Sequence, residues 1–172
     1  MQQGPDQHAA MNSDGPMTMD MGKSPYLMFG ANLLASGIVM YFVMYTMIDS
    51  SAELYNNLNN VYMTLMMVTS MALFMLWMMP AMFPDRKTNV ILNIVFAGTF
   101  LLSLFGMRTQ ALVGNDQFLR AMIPHHSGAV LMCTRSEITD PEIKRLCAGI
   151  ITSQKAEIAQ MKAILAQPKV AR

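Results

Sequence analysis

Charge is what this chain has least of. Lys and Arg number 12 and Asp and Glu 11, together 13% of the residues, with a balance of +1. No run of Lys or Arg stands out, so the electrostatic surface that a nucleic acid needs is missing and no nucleic-acid partner is expected. At 53% hydrophobic over 172 residues, the chain is too apolar for an ordinary soluble domain and too short for several of them. It reads as a small membrane protein. No internal repeat with a period of 20 to 50 residues is visible. The pattern Glu-x-x-His occurs nowhere. A ferritin-like di-iron oxidase needs that pair on two helices and a Glu on each of two others, so binding is expected here rather than catalysis. Two cysteines are too few to define a redox compartment by number, and their positions must decide their role.

Methionine is present in excess, at 21 residues. The stretch Phe118 to Cys133, FLRAMIPHHSGAVLMC, holds two thioethers (Met122, Met132), two adjacent imidazoles (His125, His126) and a thiol (Cys133). At about 3.6 residues per turn, positions 122, 125, 126, 129, 132 and 133 share one side of a helix. Thioether and thiolate sulfur favour Cu(I) and imidazole suits copper and zinc alike, so the mixture points to Cu(I). The alternative is packing, because Met also fills cores well and paired histidines can be ordinary core or surface residues.

In chain order, residues 1–25 are polar, contain Gly and Pro and show no hydrophobic period, which predicts a disordered cytoplasmic tail. Its Met17, Met19 and Met21, with His8 and Met11 upstream, could hold Cu(I) transiently or reflect Met abundance alone. Three uncharged runs follow, 26–48, 61–83 and 89–107, each long enough to cross a bilayer. The first lacks a basic leader and a small-x-small cleavage site, so it is expected to stay in the mature protein. Pro80 near the end of the second is tolerated in a membrane helix. Asn32 and Asn93, inside the first and third spans, are expected to hydrogen-bond between helices rather than to bind a ligand. Lys23 and the Arg86-Lys87 pair flank the first and third spans, whereas 49–60 has no Lys or Arg. With Arg108 as an exception, the positive-inside rule puts the N-terminus and the 84–88 loop inside and 108–172 in the periplasm.

On the second span Met63, Met67, Met71, Met75, Met78 and Met82 recur every three or four residues and form a thioether stripe, either a packed seam or a Cu(I) relay. In the outer segment, Asn115 or Asp116 is expected to cap a helix to about Glu137, bent by Pro124 just before the histidines. Asp140 and Pro141 start a second helix reaching about Ala166. The tight connection between them makes an antiparallel hairpin. That register sets His125 and His126 against Gln154, Met122 against Glu157 and Cys133 against Cys147. A lower level gathers Met122, His125, His126, Gln154, Glu157 and Met161, and an upper level Met132, Cys133 and Cys147. Gln154 or Glu157 could orient a histidine, or Glu157 could be an ordinary exposed residue between Lys155 and Lys162. The upper level is either a disulfide, expected in an oxidising compartment, or a thiolate metal site.

The segments FLRAMIPHHSGA at 118–129, TDPEI at 139–143 and IITSQKAEIAQM at 150–161 resemble the bacterial domain-of-unknown-function family 305. That family carries M-I-x-H-H near the start of one helix and Q-x-x-E-I-x-x-M on the next. The resemblance covers about residues 116 to 165 and implies a helical, ferritin-like fold, an association with copper or silver, and in some members hydrophobic spans ahead of the domain. Cys133 and Cys147 stand where small apolar residues would be expected.

The expected architecture is all-α: three transmembrane helices (26–107) and a periplasmic two-helix hairpin (108–172). Two helices can hardly bury a core of their own, so two hairpins are expected to pair into a ferritin-like four-helix bundle in a dimer, with Gly128 and Ala129 leaving room for close approach. The expected function is binding of Cu(I), or Ag(I), at the outer face of the inner membrane, for tolerance, storage or hand-over to a metallochaperone or efflux partner. One alternative is a copper transporter, since three spans, a Met-rich tail and M-x-x-x-M on the second span are similar to the Ctr-type eukaryotic copper transporters. Their G-x-x-x-G is absent, as Gly98 and Gly106 are eight apart. The other alternative is a metal-free structural or interaction module.

Overall fold

The computed structural model describes residues 25–167; the tail methionines and His8 lie outside them. Five α-helices and no strand are found among the described residues: α1 Pro25–Val43, α2 Leu58–Met78, α3 Arg86–Thr109, α4 Asn115–Arg135 and α5 Pro141–Ala166. Tight 3-10 turns extend or link them at Met44–Met47, Ser51–Glu53 and Pro80–Met82. Three segments are long and apolar enough to cross a membrane, Pro25–Met47, Leu58–Met78 and Arg86–Thr109. Their outward residues, such as Leu34, Ile94 and Leu102, are apolar and well exposed, which is compatible with a lipid environment.

Two boundaries differ from the sequence expectation for local reasons. The second span stops at Met78, with Met79 as its C-cap and Pro80–Met82 in a 3-10 turn, because the residue before a proline is pushed out of the helical region. Met82 therefore leaves the helix that was to carry the stripe. The third begins earlier, at Arg86, because the Asp85 carboxylate accepts the Lys87 amide at 3.0 Å and so caps the helix. Arg86 and Lys87 form its first turn, where long side chains can keep their charges in water.

Within the membrane unit α2 lies between α1 and α3. Phe29 and Leu33 of α1 meet Ala72 and Leu76 of α2 and Phe83 of the following turn in one buried cluster. On the other side, Gly106 of α3 comes so close to Tyr62 that a Cβ there would stand 2.8 Å from the ring. The Tyr62 hydroxyl donates to the Ala111 carbonyl at 2.7 Å. Asn93 makes the expected interhelical contact, accepting from Trp77 Nε1 at 2.7 Å.

The hairpin of α4 and α5 rests on the segment between α1 and α2. Ile123, Ile158 and Met161 form its buried core, with Leu119, Met122, Leu165 and Tyr55 packed around them. Tyr55 comes from the 44–57 segment, so the hairpin draws part of its core from the membrane unit of the same chain. Gly128 makes its close approach there too: an added Cβ would meet the Met47 carbonyl at 3.2 Å. The expected closeness at Gly128 is thus met inside one chain. These contacts place the α1–α2 loop and the hairpin on the same side of the three spans.

Candidate metal centre

Helix α4 begins after Gly114, with Asp116 in its first turn and Arg135 in its last, charges that suit the helix dipole. The cap is Gly114 rather than Asn115 or Asp116, and α4 runs through Pro124 as one helix. Helix α5 is started as expected: Asp140 accepts the Glu142 and Ile143 amides at 2.7 and 3.1 Å, with Pro141 in the first turn. At the turn end, Cys133 and Cys147 are joined in a disulfide with Cα atoms 5.3 Å apart. The upper level is therefore the disulfide of the two alternatives, and neither sulfur is a thiolate ligand in this state. Met132 beside it is 53% exposed and faces away.

The lower level centres on His126. Its ring is buried, at 8% exposure, and both nitrogens are engaged. Nδ1 lies 2.8 Å from the Met122 carbonyl one turn back, and Nε2 lies 2.7 Å from Glu157 Oε2 on α5. The carbonyl can only accept, so the Nδ1 contact is made by an Nδ1–H donor. A carbonyl on Nδ1 is the usual device that fixes a metal-binding histidine with Nε2 as the ligand atom. A cation arriving at Nε2 would displace the Glu157 carboxylate from that nitrogen.

Glu157 pairs with His126 and not with Met122, one turn away from the expected partner. Side chains on a helix lean toward its N-terminus. On antiparallel helices, long side chains therefore meet about a turn off the backbone register, while the short Cys133 and Cys147 meet on it. Met122 lies one turn from His126 on α4, Met161 one turn from Glu157 on α5, and both thioethers belong to the same apolar cluster. Gln154 is half-buried and His125 exposed, the two imidazole centroids being 6.1 Å apart. The structure thus brings together Met122, His126, Glu157 and Met161, and leaves His125, Met132 and the disulfide outside that group.

Sequence reasoning missed the support behind His126. Ser127 is fully buried; its hydroxyl donates to Glu53 and accepts the Asp49 amide at 2.7 Å. Glu53 also meets Lys162 Nζ at 3.5 Å. One acidic residue of the α1–α2 loop therefore ties both hairpin helices to the membrane unit. In the sequence, Glu53 and Asp49 stand out only as acids in a loop without Lys or Arg.

Among the described residues no three His, Cys, Asp or Glu side chains converge. Within one chain the lower level offers one imidazole, one carboxylate and two thioethers. That donor set suits a soft monovalent ion better than zinc or iron, which prefer several nitrogen, oxygen or thiolate ligands. The stripe does not present one face. Met71 and Met75 pack on the α1–α2 cluster, Met78 is 77% exposed and Met82 lies off the helix.

The family model described as "Domain of unknown function (DUF305)" matches residues 107–165. An uncharacterized protein of Acanthamoeba polyphaga mimivirus is 35% identical over 124 residues, which cover 71% of this chain and 80% of that protein. The aligned length exceeds that of the hairpin, so the likeness extends into the membrane-spanning part. No solved structure matches the chain.

Proposed function

As the chain belongs to the family of the domain of unknown function DUF305, whose matched region is the hairpin that carries His126, we propose that it is a membrane-anchored binder of Cu(I) or Ag(I). The observation that carries this reading is the pair of contacts on one ring: His126 is pinned through Nδ1 to the Met122 carbonyl while Nε2 faces α5, next to a core that contains two thioethers. In this reading Nε2, Met122 and Met161 are the ligands. Glu157 holds the ring in the empty state and gives up its contact when the ion arrives. His125, exposed beside the site, serves as the first point of capture. Met132 plays the same outer role, and Cys133 and Cys147 add ligands only when reduced.

The chain sits in the inner membrane with its N-terminus inside and the hairpin in the periplasm, where an oxidising milieu keeps the disulfide closed. Two hairpins pair as a four-helix bundle through faces that one chain leaves open, including Ile143, Leu146 and Ile164 of α5, exposed by 47%, 62% and 44%. The bound ion is held for tolerance or storage, or passed to a metallochaperone or efflux partner.

The test is an anaerobic Cu(I) titration of the full chain in detergent against a chromogenic Cu(I) chelator, with Ag(I) and Zn(II) as competitors. Tight binding that Ag(I) displaces and Zn(II) does not is expected, together with its loss in His126→Ala. Equal displacement by Zn(II), or unchanged binding in His126→Ala, would overturn the reading.

A further inference from the structure

At the end of the membrane unit away from the hairpin, three methionines from three different segments line one cavity of about 230 Å³: Met28 of α1, Met75 of α2 and Met82 of the 3-10 turn after it. Asn32 and the rings of Phe29 and Phe83 line the same cavity. We infer that Met28, Met75 and Met82 form a second soft-metal site, a three-thioether seat for Cu(I) or Ag(I) on the opposite side of the membrane unit from His126. It deepens the soft-metal reading but stands on different residues.

The proline that ends α2 creates the seat. Had the helix continued to Phe83, Met82 would lie about 10 Å along the axis from Met75, at 1.5 Å per residue. The 3-10 turn Pro80–Met82 instead brings Met82 to the cavity that Met75 lines and packs Phe83 against Phe29 at 5.0 Å between centroids. Three neutral thioethers bind a d10 monovalent ion through soft donation and not through charge. An unpaired cation is costly in hydrocarbon, and one feature of the cavity reduces that cost: it lies at the end of the spans, since α1 starts at Pro25 and α3 at Arg86. Asn32, an exposed residue of α1, lines the same cavity and adds an amide to its wall. Hard divalent ions gain little from such a donor set. Because its donors are thioethers alone, with no imidazole, the seat binds more weakly than the hairpin, so an ion held at both ends of the membrane unit would be graded in affinity.

The experiment uses the full chain in lipid nanodiscs, labelled with 13C at the methionine methyls, and titrated with Ag(I), which is diamagnetic and does not change oxidation state. The methyl resonances of Met28, Met75 and Met82 should move together with one common midpoint. Met28→Leu, which keeps volume, should raise the midpoint of the other two by about tenfold, the equivalent of about 1.4 kcal/mol. Met79→Leu, a neighbour that does not line the cavity, should leave it unchanged. Three unrelated midpoints, or a Met28→Leu chain whose other two resonances titrate as before, would overturn the inference. In His126→Ala the Met122 and Met161 methyls should lose their response while the three cavity methyls keep theirs. If the hairpin methyls never respond in the unmutated chain, the hairpin reading fails alone; if only the cavity methyls stay silent, this inference fails alone.

Discussion

Neighbouring positions on a helix point about 100° apart, and the rotation of α4 turns one of the two histidines more fully toward α5. That one is His126, with its ring fixed by the Met122 carbonyl and Glu157, whereas His125 stays in contact with solvent. Single substitutions should therefore be unequal. His126→Ala, which removes a ligand, is expected to weaken Cu(I) binding by at least the about 100-fold that loss of a residue orienting a ligand can cost, and His125→Ala by much less. Competition titration of the two variants checks the ranking. Ser127 carries a different consequence. Ser127→Ala would leave the Glu53 carboxylate and the Asp49 amide without their shared partner, a loss of about 1–3 kcal/mol for a buried group. Unfolding of the variant in mixed micelles should show that loss without direct damage to the ligand atoms. The M-I-P-H-H motif marked the candidate site in the sequence, because residue type and helical spacing are legible there. Which of the two histidines faces inward depends on the hairpin's rotation against Tyr55 and Met47, and such long-range packing leaves no mark at positions 125 and 126.

Local chemistry set the helices well where it was unambiguous. Asp140-Pro141 opened α5 at the expected residue, while Pro80 and Asp85 moved two boundaries that hydropathy alone had blurred. The Asp85 carboxyl accepts the Thr88 hydroxyl and the Lys87 amide, and these bonds hold it below the ordinary carboxylate range. A carboxyl with a depressed folded value contributes stability that is complete above its unfolded value and fades as the pH falls through the folded one. Acidification below the usual carboxylate range should therefore fray the start of α3, and Asp85→Asn should remove that part of the pH dependence, as amide exchange of Lys87 and Thr88 would report. At the other end of the molecule the Cys133–Cys147 bridge closes a loop of 14 residues, worth about 3 kcal/mol in the chain-entropy model. Reduction should loosen the α4–α5 turn and leave the His126–Glu157 contact, some two turns below, largely in place; thiol labelling before and after reductant, with unfolding of each form, checks this. The pairing of the cysteines was legible because short side chains meet on the backbone register. The register set Glu157 beside Met122, a turn from the His126 it meets, because long side chains do not; its contact with a histidine was among the readings the sequence offered.

At the scale of the whole molecule, the membrane unit and the hairpin are one structure. Glu53 joins Ser127 of α4 and Lys162 of α5, and Tyr55 completes the hairpin core, so a binding event at His126 lies one residue from a direct tie to the α1–α2 loop. The three spans were readable from hydropathy because each is an unbroken apolar run. The tie through Glu53 was not, because the acids of the α1–α2 loop do not tell which distant helix they will bond. The central claim is that Nε2 of His126 is the nitrogen that takes the soft cation. It is tested most directly by 15N NMR of the full chain labelled at the histidine ring nitrogens, followed during addition of Ag(I). The expected result is a large shift and a silver coupling at His126 Nε2 while Nδ1 keeps its proton on the Met122 carbonyl; Ag(I) that leaves the His126 ring unchanged, or that binds through Nδ1, would contradict it.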